Sequence, residues 1–288
     1  MTNWLQRLET AWVRRRAKSL APLPSDAGRK PVAIITGASE GIGRALATEF
    51  ARQGHSLLLI ARSRDNLERA AAELKRDFSI EVHVAAIDLN AVDAVAQVEA
   101  ALREANLYAD YLVNNAAIGS GGPFVEEDAQ KLDQLIILNV GALTALTRRF
   151  LPDMLKRARG GVLNIASLGG LLPGPYQAAY YASKAYVVSL TEALAYENAG
   201  RGVRITVATP GPVATRWHEK VGAANANYLK LQTVMSPESV ARITYSAFMG
   251  RRRLISPGVV ATFNYLGISL IPHFILVPFV GWFLKQRY

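Results

Sequence analysis

The chain has 288 residues, half of them hydrophobic and 19% charged, with a formal net charge of +10 and no cysteine. Length and apolar content fit one large α/β domain with extensions and exclude wholesale disorder. The missing cysteines exclude a disulfide scaffold, a Cys-ligated metal site and a cysteine nucleophile. The excess charge lies at the ends: residues 1–30 carry seven Lys/Arg against two Asp/Glu, residues 251–288 carry five and no acid, and residues 31–250 hold 21 of each. A neutral body with basic ends is not a surface built to coat nucleic acid.

Residues 1–29 form a basic extension and linker. On a helical wheel Trp4, Leu5, Leu8, Ala11 and Trp12 share one face, with Asn3, Arg7, Arg14 and Lys18 towards the other. Such a helix suits an anionic bilayer interface, and docking on the protein's own surface or on a partner is the alternative. Arg14–Arg16 do not make a twin-arginine export signal, because no apolar run follows them. Residues 21–28, rich in Pro, Ala and Gly, read as the linker before the body.

Residues 30–250 alternate strand-like and helix-like segments. Strands are predicted at Val32–Ile35, Ser56–Ile60, Val82–Ile87, Tyr111–Val113, Gly161–Ile165 and Val203–Ala208. Helices are predicted at Gly41–Gln53, Asp65–Phe78, Ala91–Ala105, Asp128–Arg157 and Ala179–Ala199. Repeated βαβ units give an α/β, three-layer Rossmann fold: a doubly wound parallel sheet with helices on both faces. The first strand runs into Thr36-Gly37-Ala38-Ser39-Glu40-Gly41-Ile42-Gly43 and then a helix. Glycines there permit the sharp turn, close backbone approach to a pyrophosphate and tight helix packing, and the helix N-terminus favours the negative charge. Gly37, Ser39, Glu40, Gly41, Ile42 and Gly43 are therefore candidate cofactor contacts. At the end of the second strand, where Asp or Glu would accept a ribose 2′-hydroxyl, the chain reads Ala61-Arg62-Ser63-Arg64. Arginine suits a 2′-phosphate, so the cofactor expected is NADP(H), with Arg62 the principal contact, Ser63 and Arg64 as helpers and Arg44 a weaker candidate.

The fifth strand runs into Ser167, and Tyr180 and Lys184 follow four residues apart on one helical face. A nearby ammonium, and a bound nicotinamide cation, would each favour tyrosinate and bring the phenol towards acid/base work. That register selects Tyr180, leaving Tyr176 and Tyr181 to packing or a substrate wall.

Thr36–Gly43, Asn114-Asn115-Ala116, Ser167, Tyr180-x-x-x-Lys184 and Pro210-Gly211 follow the order found in the short-chain dehydrogenase/reductase family, which the chain resembles over about residues 31–250. The resemblance implies that Tyr180 is the acid in ketone reduction and the base in alcohol oxidation. It implies that Ser167 bonds the substrate oxygen and that Lys184 holds the nicotinamide ribose and lowers the tyrosine pKa. Asn139 would link Lys184 to a water relay. Asp88 and Leu89 would lie beside the adenine, Asn115 and Ala116 along the cofactor, and Pro210, Gly211, Val213 and Thr215 near the carboxamide. One departure is Ala117, where the family has glycine. The pattern looks most like bacterial reductases related to hydroxysteroid and long-chain 3-ketoacyl reductases, and homo-oligomers are common in the family.

Four scattered histidines show no ligand spacing, so no metal is expected. Arg148, Arg149, Lys156, Arg157 and Arg159 read as a solvated helix face. The segment Trp217–Met235 is the expected substrate wall, and its apolar and aromatic content suits a hydrophobic carbonyl compound or alcohol. The last segment, 251–288, is an apolar tail with no charge between Leu254 and Leu284 and basic residues at both flanks. Pro257, Pro272 and Pro278 predict a broken helix or hairpin in the interface of an anionic membrane. A subunit contact or substrate lid and a true span are the alternatives. The expectation is a cytoplasmic NADP(H)-dependent oxidoreductase, peripheral on the inner membrane face, acting on a lipid- or steroid-like carbonyl. Its rival is a non-catalytic, membrane-attached NADP(H)-binding module.

Overall fold

A computed structural model describes residues 28–215, 234–258 and 271–285. Seven strands form one parallel sheet: β1 (Lys30–Thr36), β2 (Leu57–Ala61), β3 (Val82–Ala86), β4 (Leu107–Asn114), β5 (Gly161–Ile165), β6 (Arg204–Ala208) and β7 (Leu254–Ile255). Their spatial order is β3-β2-β1-β4-β5-β6-β7. The helices are α1 (Gly41–Arg52), α2 (Arg64–Asp77), α3 (Ala94–Glu104), α4 (Ala129–Ile136), α5 (Leu143–Arg157), α6 (Ala178–Glu197), α7 (Pro237–Met249) and α8 (His273–Leu284). This is the expected three-layer Rossmann arrangement, with the order reversing between β1 and β4. Such a switch point opens a crevice at the carboxyl ends of the strands.

The strands read as continuous apolar runs because both faces are covered. Along β1, Ala33 and Ile35 join one core with Leu46, Phe50, Leu67 and Phe248. Val32 and Ile34 join the other with Val98, Leu112, Leu146 and Phe150. Phe50 is fully buried, edge-on to Tyr245 at 4.8 Å and beside Tyr111 and Phe248. Truncating such a ring to alanine costs about 3–5 kcal/mol.

The structure departs from the sequence reading in four places. First, β4 begins at Leu107, four residues before the predicted start, and all eight of its residues are buried. Asp110 hid the strand in the sequence, and its buried carboxylate is held by Arg159 at 3.1 Å. Arg157 is also buried, donating to the Ala109 carbonyl at 2.8 Å with its guanidinium over the Tyr108 ring. These two arginines are structural, which corrects the solvated-face reading; Arg149 and Lys156 do pair with acids at the surface.

Second, the long helix predicted at Asp128–Arg157 contains a π-turn, Ile137–Ala142, between α4 and α5. Third, the chain past residue 250 returns to the sheet. Val207 donates to the Arg253 carbonyl at 2.9 Å, Thr209 to that of Ile255 at 2.8 Å, and the Thr206 hydroxyl to that of Arg252 at 2.6 Å. Residues 252–255 are thus the sheet's edge and not the start of a tail, which moves the boundary set at 250. Arg251 donates to the Gly202 and Val203 carbonyls, and Arg253 lies 3.4 Å from Glu192, so both face the body. Fourth, α8 runs unbroken through Pro278, with Pro272 at its N-cap, where the proline's missing N–H costs nothing. The amphipathic segment 1–27, most of the expected substrate wall (216–233) and residues 259–270 lie outside the described residues.

Candidate active site

The crevice begins at the β1–α1 turn. Gly37 (φ +63°) and Gly41 (φ +57°) take left-handed backbone, which glycine adopts without a Cβ penalty. A Cβ on Gly43 would lie 2.2 Å from the Gly37 carbonyl oxygen and 2.4 Å from Asn115 Nδ2. The turn is tied to the end of β4. Thr36 Oγ1 donates to the Val113 carbonyl at 3.2 Å and accepts the N–H groups of Asn115 (2.9 Å) and Ala116 (3.0 Å). Asn115 Nδ2 donates back to the carbonyls of Thr36 and Gly37 at 3.0 and 3.2 Å. Glu40 caps α1 without a side-chain bond to its first N–H groups, and Ser39, Glu40, Gly41 and Ile42 line the cavity. A glycine-rich turn at a helix N-terminus with no side-chain cap fits a dinucleotide's diphosphate.

At the end of β2, Arg62 is exposed and lines the same cavity. Its neighbours are otherwise engaged. Ser63 Oγ accepts the Asn66 N–H and caps α2, Arg64 lies 3.7 Å from Glu68, and Arg44 bonds Glu73 at 2.7 Å and Thr48 at 2.9 Å. Asp88, with Leu89 beside it on the cavity wall, accepts from Asn90 through Oδ1.

The other end is built from β5, α6 and the π-turn. A π-turn inserts one residue per turn and re-aims side chains. Here it turns Asn139 into the interior, where Nδ2 donates to the Ile118 carbonyl (2.9 Å) and to Ser183 Oγ (3.1 Å), while Oδ1 accepts the Ile118 N–H (3.0 Å). Ser183 Oγ donates to the Tyr180 carbonyl at 2.7 Å. Asn139 therefore reaches α6 through Ser183, a residue that the sequence reading missed. Lys184 is buried, its Nζ donates to the Ile165 carbonyl at 2.9 Å, and it lies 5.7 Å from the centre of the Tyr180 ring. Ser167 shares a hydrogen bond with the Tyr180 phenol and accepts the Gly169 N–H at 3.1 Å.

Burial pushes Tyr180 up to about 12, with the Ser167 bond pulling the other way, and pushes Lys184 down to about 8. The sequence reading expected the ammonium to lower the phenol. In the folded chain desolvation dominates both groups, because each loses water from the same enclosed pocket.

Pro210, Gly211, Val213 and Thr215 line the cavity between these ends. Leu168 donates to the Pro210 carbonyl, and the Thr215 methyl would meet a Cβ on Gly41 at 3.2 Å, so this loop touches both halves of the site. Tyr181 packs on Gly169 and Gly174 and edge-on to Tyr180. The full cavity measures about 1830 Å³, and its far wall is α8, with Leu276, Val280 and Leu284 buried and Phe279 and Phe283 beside them. The sequence reading assigned no residue of α8 to the site. The i, i+4, i+8 spacing of those three residues was the available signal, masked because nearly every neighbour is apolar too.

A family model described as short chain dehydrogenase matches residues 31–226. The chain belongs to the short-chain dehydrogenase family. This is a family of oxidoreductases working at carbonyl and CH–OH groups. The chain is similar to the very-long-chain 3-oxoacyl-CoA reductase of Bos taurus, 34% identical over 188 residues, which cover 64% of this chain and 60% of that relative. It thus spans about 60% of the length of the curated relatives that it matches. Among solved structures it resembles a short-chain dehydrogenase from Sphingobium yanoikuyae in complex with NADPH (TM-score 0.74, 31% identity, covering 83% of this chain and 93% of that one). It also resembles the bulky-bulky ketone specific alcohol dehydrogenase of Comamonas testosteroni (TM-score 0.71, 28% identity, covering 84% and 92%).

Proposed function

We propose that this short-chain dehydrogenase is an NADP(H)-dependent oxidoreductase that interconverts a hydrophobic ketone and its secondary alcohol. The observation that carries the reading is convergence: Ser167, Tyr180 and Lys184 line one end of a cavity whose other end is the glycine cradle and Arg62, with Asn139 bonded to α6 behind them through Ser183. A nicotinamide dinucleotide, when bound, supplies the hydride. Ser167 donates a hydrogen bond to the carbonyl oxygen and stabilises the charge developing there. Tyr180 gives its proton to that oxygen in reduction and takes it back in oxidation. Lys184 would bond the ribose hydroxyls, and Asn139 holds α6 and the Ile118 backbone in register. Arg62 would hold the 2′-phosphate, a role suited to its planar donor fork.

The apolar wall made by α8 supports a hydrophobic substrate, as do the relatives named for long 3-oxoacyl chains and for bulky ketones. Basic charge in residues 1–30 and in Lys285 and Arg287 supports a peripheral seat on an anionic membrane face. The non-catalytic module is not favoured, because the chain belongs to a family of oxidoreductases and keeps Ser167, Tyr180 and Lys184 along one cavity. The test is NADPH consumption by the purified protein against small ketones, steroid ketones and detergent-delivered long-chain 3-keto lipids, with NADH alongside. Selective turnover of the larger members is expected. Tyr180→Phe should lower turnover by about 10²–10⁴-fold with NADPH binding retained; turnover close to wild type in that variant would refute the assignment.

A further inference from the structure

We propose that α8 is the membrane-docking element of this protein and the entrance through which a lipid-dissolved substrate reaches the catalytic cavity. This rests on the reductase reading above. The helix has two apolar faces. Leu276, Val280 and Leu284 are buried against the body and border the cavity. On the outside, Phe274 is 79% exposed, Phe279 58%, Trp282 56% and Ile275 53%, an apolar surface that water solvates poorly. The faces are joined by aromatic contact: Trp282 lies 6.2 Å from Phe279, and Phe279 stacks on Phe283 at 6.0 Å with 18° between the rings. Phe279 and Phe283 line the same cavity as Tyr180, so a chain of aromatic rings runs from the outer surface to the cavity wall. Gly281 packs on Pro175, in the loop leading into α6, which seats the helix beside the catalytic residues.

Charge decides what covers the outer face. No charged residue lies between Leu254 and Leu284; Lys285, exposed at the end of α8, and Arg287 follow, and residues 1–30 add a net +5. Tryptophan and lysine together at the end of an apolar helix suit the boundary between acyl chains and anionic headgroups. A second copy fits less well. The four outer side chains offer on the order of 500 Å², below the roughly 800 Å² per partner of a stable interface, and two copies of a +10 chain would bring like charges together. Twelve residues reach only about 18 Å, short of the ~30 Å hydrocarbon core, so α8 lies in the interface and does not span it.

The experiment compares the full-length protein with the double variant Phe274→Ser/Trp282→Ser, which removes outer rings, keeps the charge and replaces no cavity-lining residue. Co-sedimentation is measured with vesicles of equal phosphatidylglycerol and phosphatidylethanolamine and with neutral phosphatidylcholine vesicles. NADPH oxidation is followed with ethyl acetoacetate in water and with a long-chain 3-ketoester dissolved in the anionic vesicles. Expected are preferential binding of wild type to anionic vesicles, at least about tenfold weaker binding by the variant, a parallel fall in turnover of the vesicle-borne ketone, and unchanged turnover of the soluble one. Wild type that stays in the supernatant while reducing both ketones overturns docking alone. So does a variant that binds vesicles normally but shifts from dimer to monomer in sedimentation velocity, which makes the face a self-interface. Ring-dependent vesicle binding with neither ketone reduced keeps the docking and overturns the reductase reading, and the entrance with it.

Discussion

Two residues carry separable predictions. Arg62 lines the cavity, while Arg64 and Arg44 lie against Glu68 and Glu73. If it holds a 2′-phosphate, Arg62→Ser should lower the preference for NADPH over NADH about tenfold or more, as expected for one charge-assisted contact. Equal loss with both cofactors would remove Arg62 from that role. Lys184 makes a pH prediction. Its folded pKa is lowered from 10.5 to about 8, so between those values the unfolded chain binds more protons and stability rises with pH. Below about pH 8 the folded chain bears the full cost of a desolvated ammonium, at most about 3 kcal/mol. Lys184→Met should therefore raise the urea midpoint at pH 7, with the gap to wild type narrowing from pH 8 to 10. A gap independent of pH would mean that the ammonium is not desolvated. The spacing of Tyr180 and Lys184 was legible because four residues are one helical turn; their pKa values were not, because they depend on what surrounds them.

The β1–α1 turn is the element whose sequence carried most of its meaning. Gly37, Gly41 and Gly43 each answer to a backbone demand, and the tightest is the contact of Gly43 with the Gly37 carbonyl and Asn115. Gly43→Ala must push the α1 start away from β4, costing about 1–3 kcal/mol and weakening NADPH binding more than it slows chemistry. Calorimetric titration and a thermal melt check this, and an alanine variant that binds NADPH as wild type does would contradict it. The π-turn was not legible. Residues 128–157 have helical periodicity throughout, and one extra residue in the turn at Asn139 leaves no mark that hydrophobic spacing can reveal. Nor was β7, because two residues cannot establish a period of two; it is defined by its bonds to β6.

The whole molecule behaves as a sheet with a helix closing its crevice. Removing residues 259–288 leaves the seven-stranded sheet complete, whereas removing 251–288 strips β7 and the partners of Thr206, Val207 and Thr209 from β6. The chain ending at residue 250 should melt well below the chain ending at residue 258 and lose NADPH binding with its fold; the chain ending at 258 should keep NADPH binding and lose turnover of hydrophobic ketones. Equal melting of the two would show that the β7 edge adds nothing. Sequence alone determined the α/β alternation and the parallel sheet, which are written in periods of about two and 3.6 residues. It also showed the glycine spacing of the β1–α1 turn and the four-residue step from Tyr180 to Lys184, while Ser167 and Asn139 were reached through the family resemblance. Only the tertiary structure decided that α8 walls the cavity, that Ser183 joins Asn139 to Tyr180, and that burial opposes the charges on Tyr180 and Lys184. Those depend on which distant segments exclude water from one another, and linear spacing does not encode that adjacency.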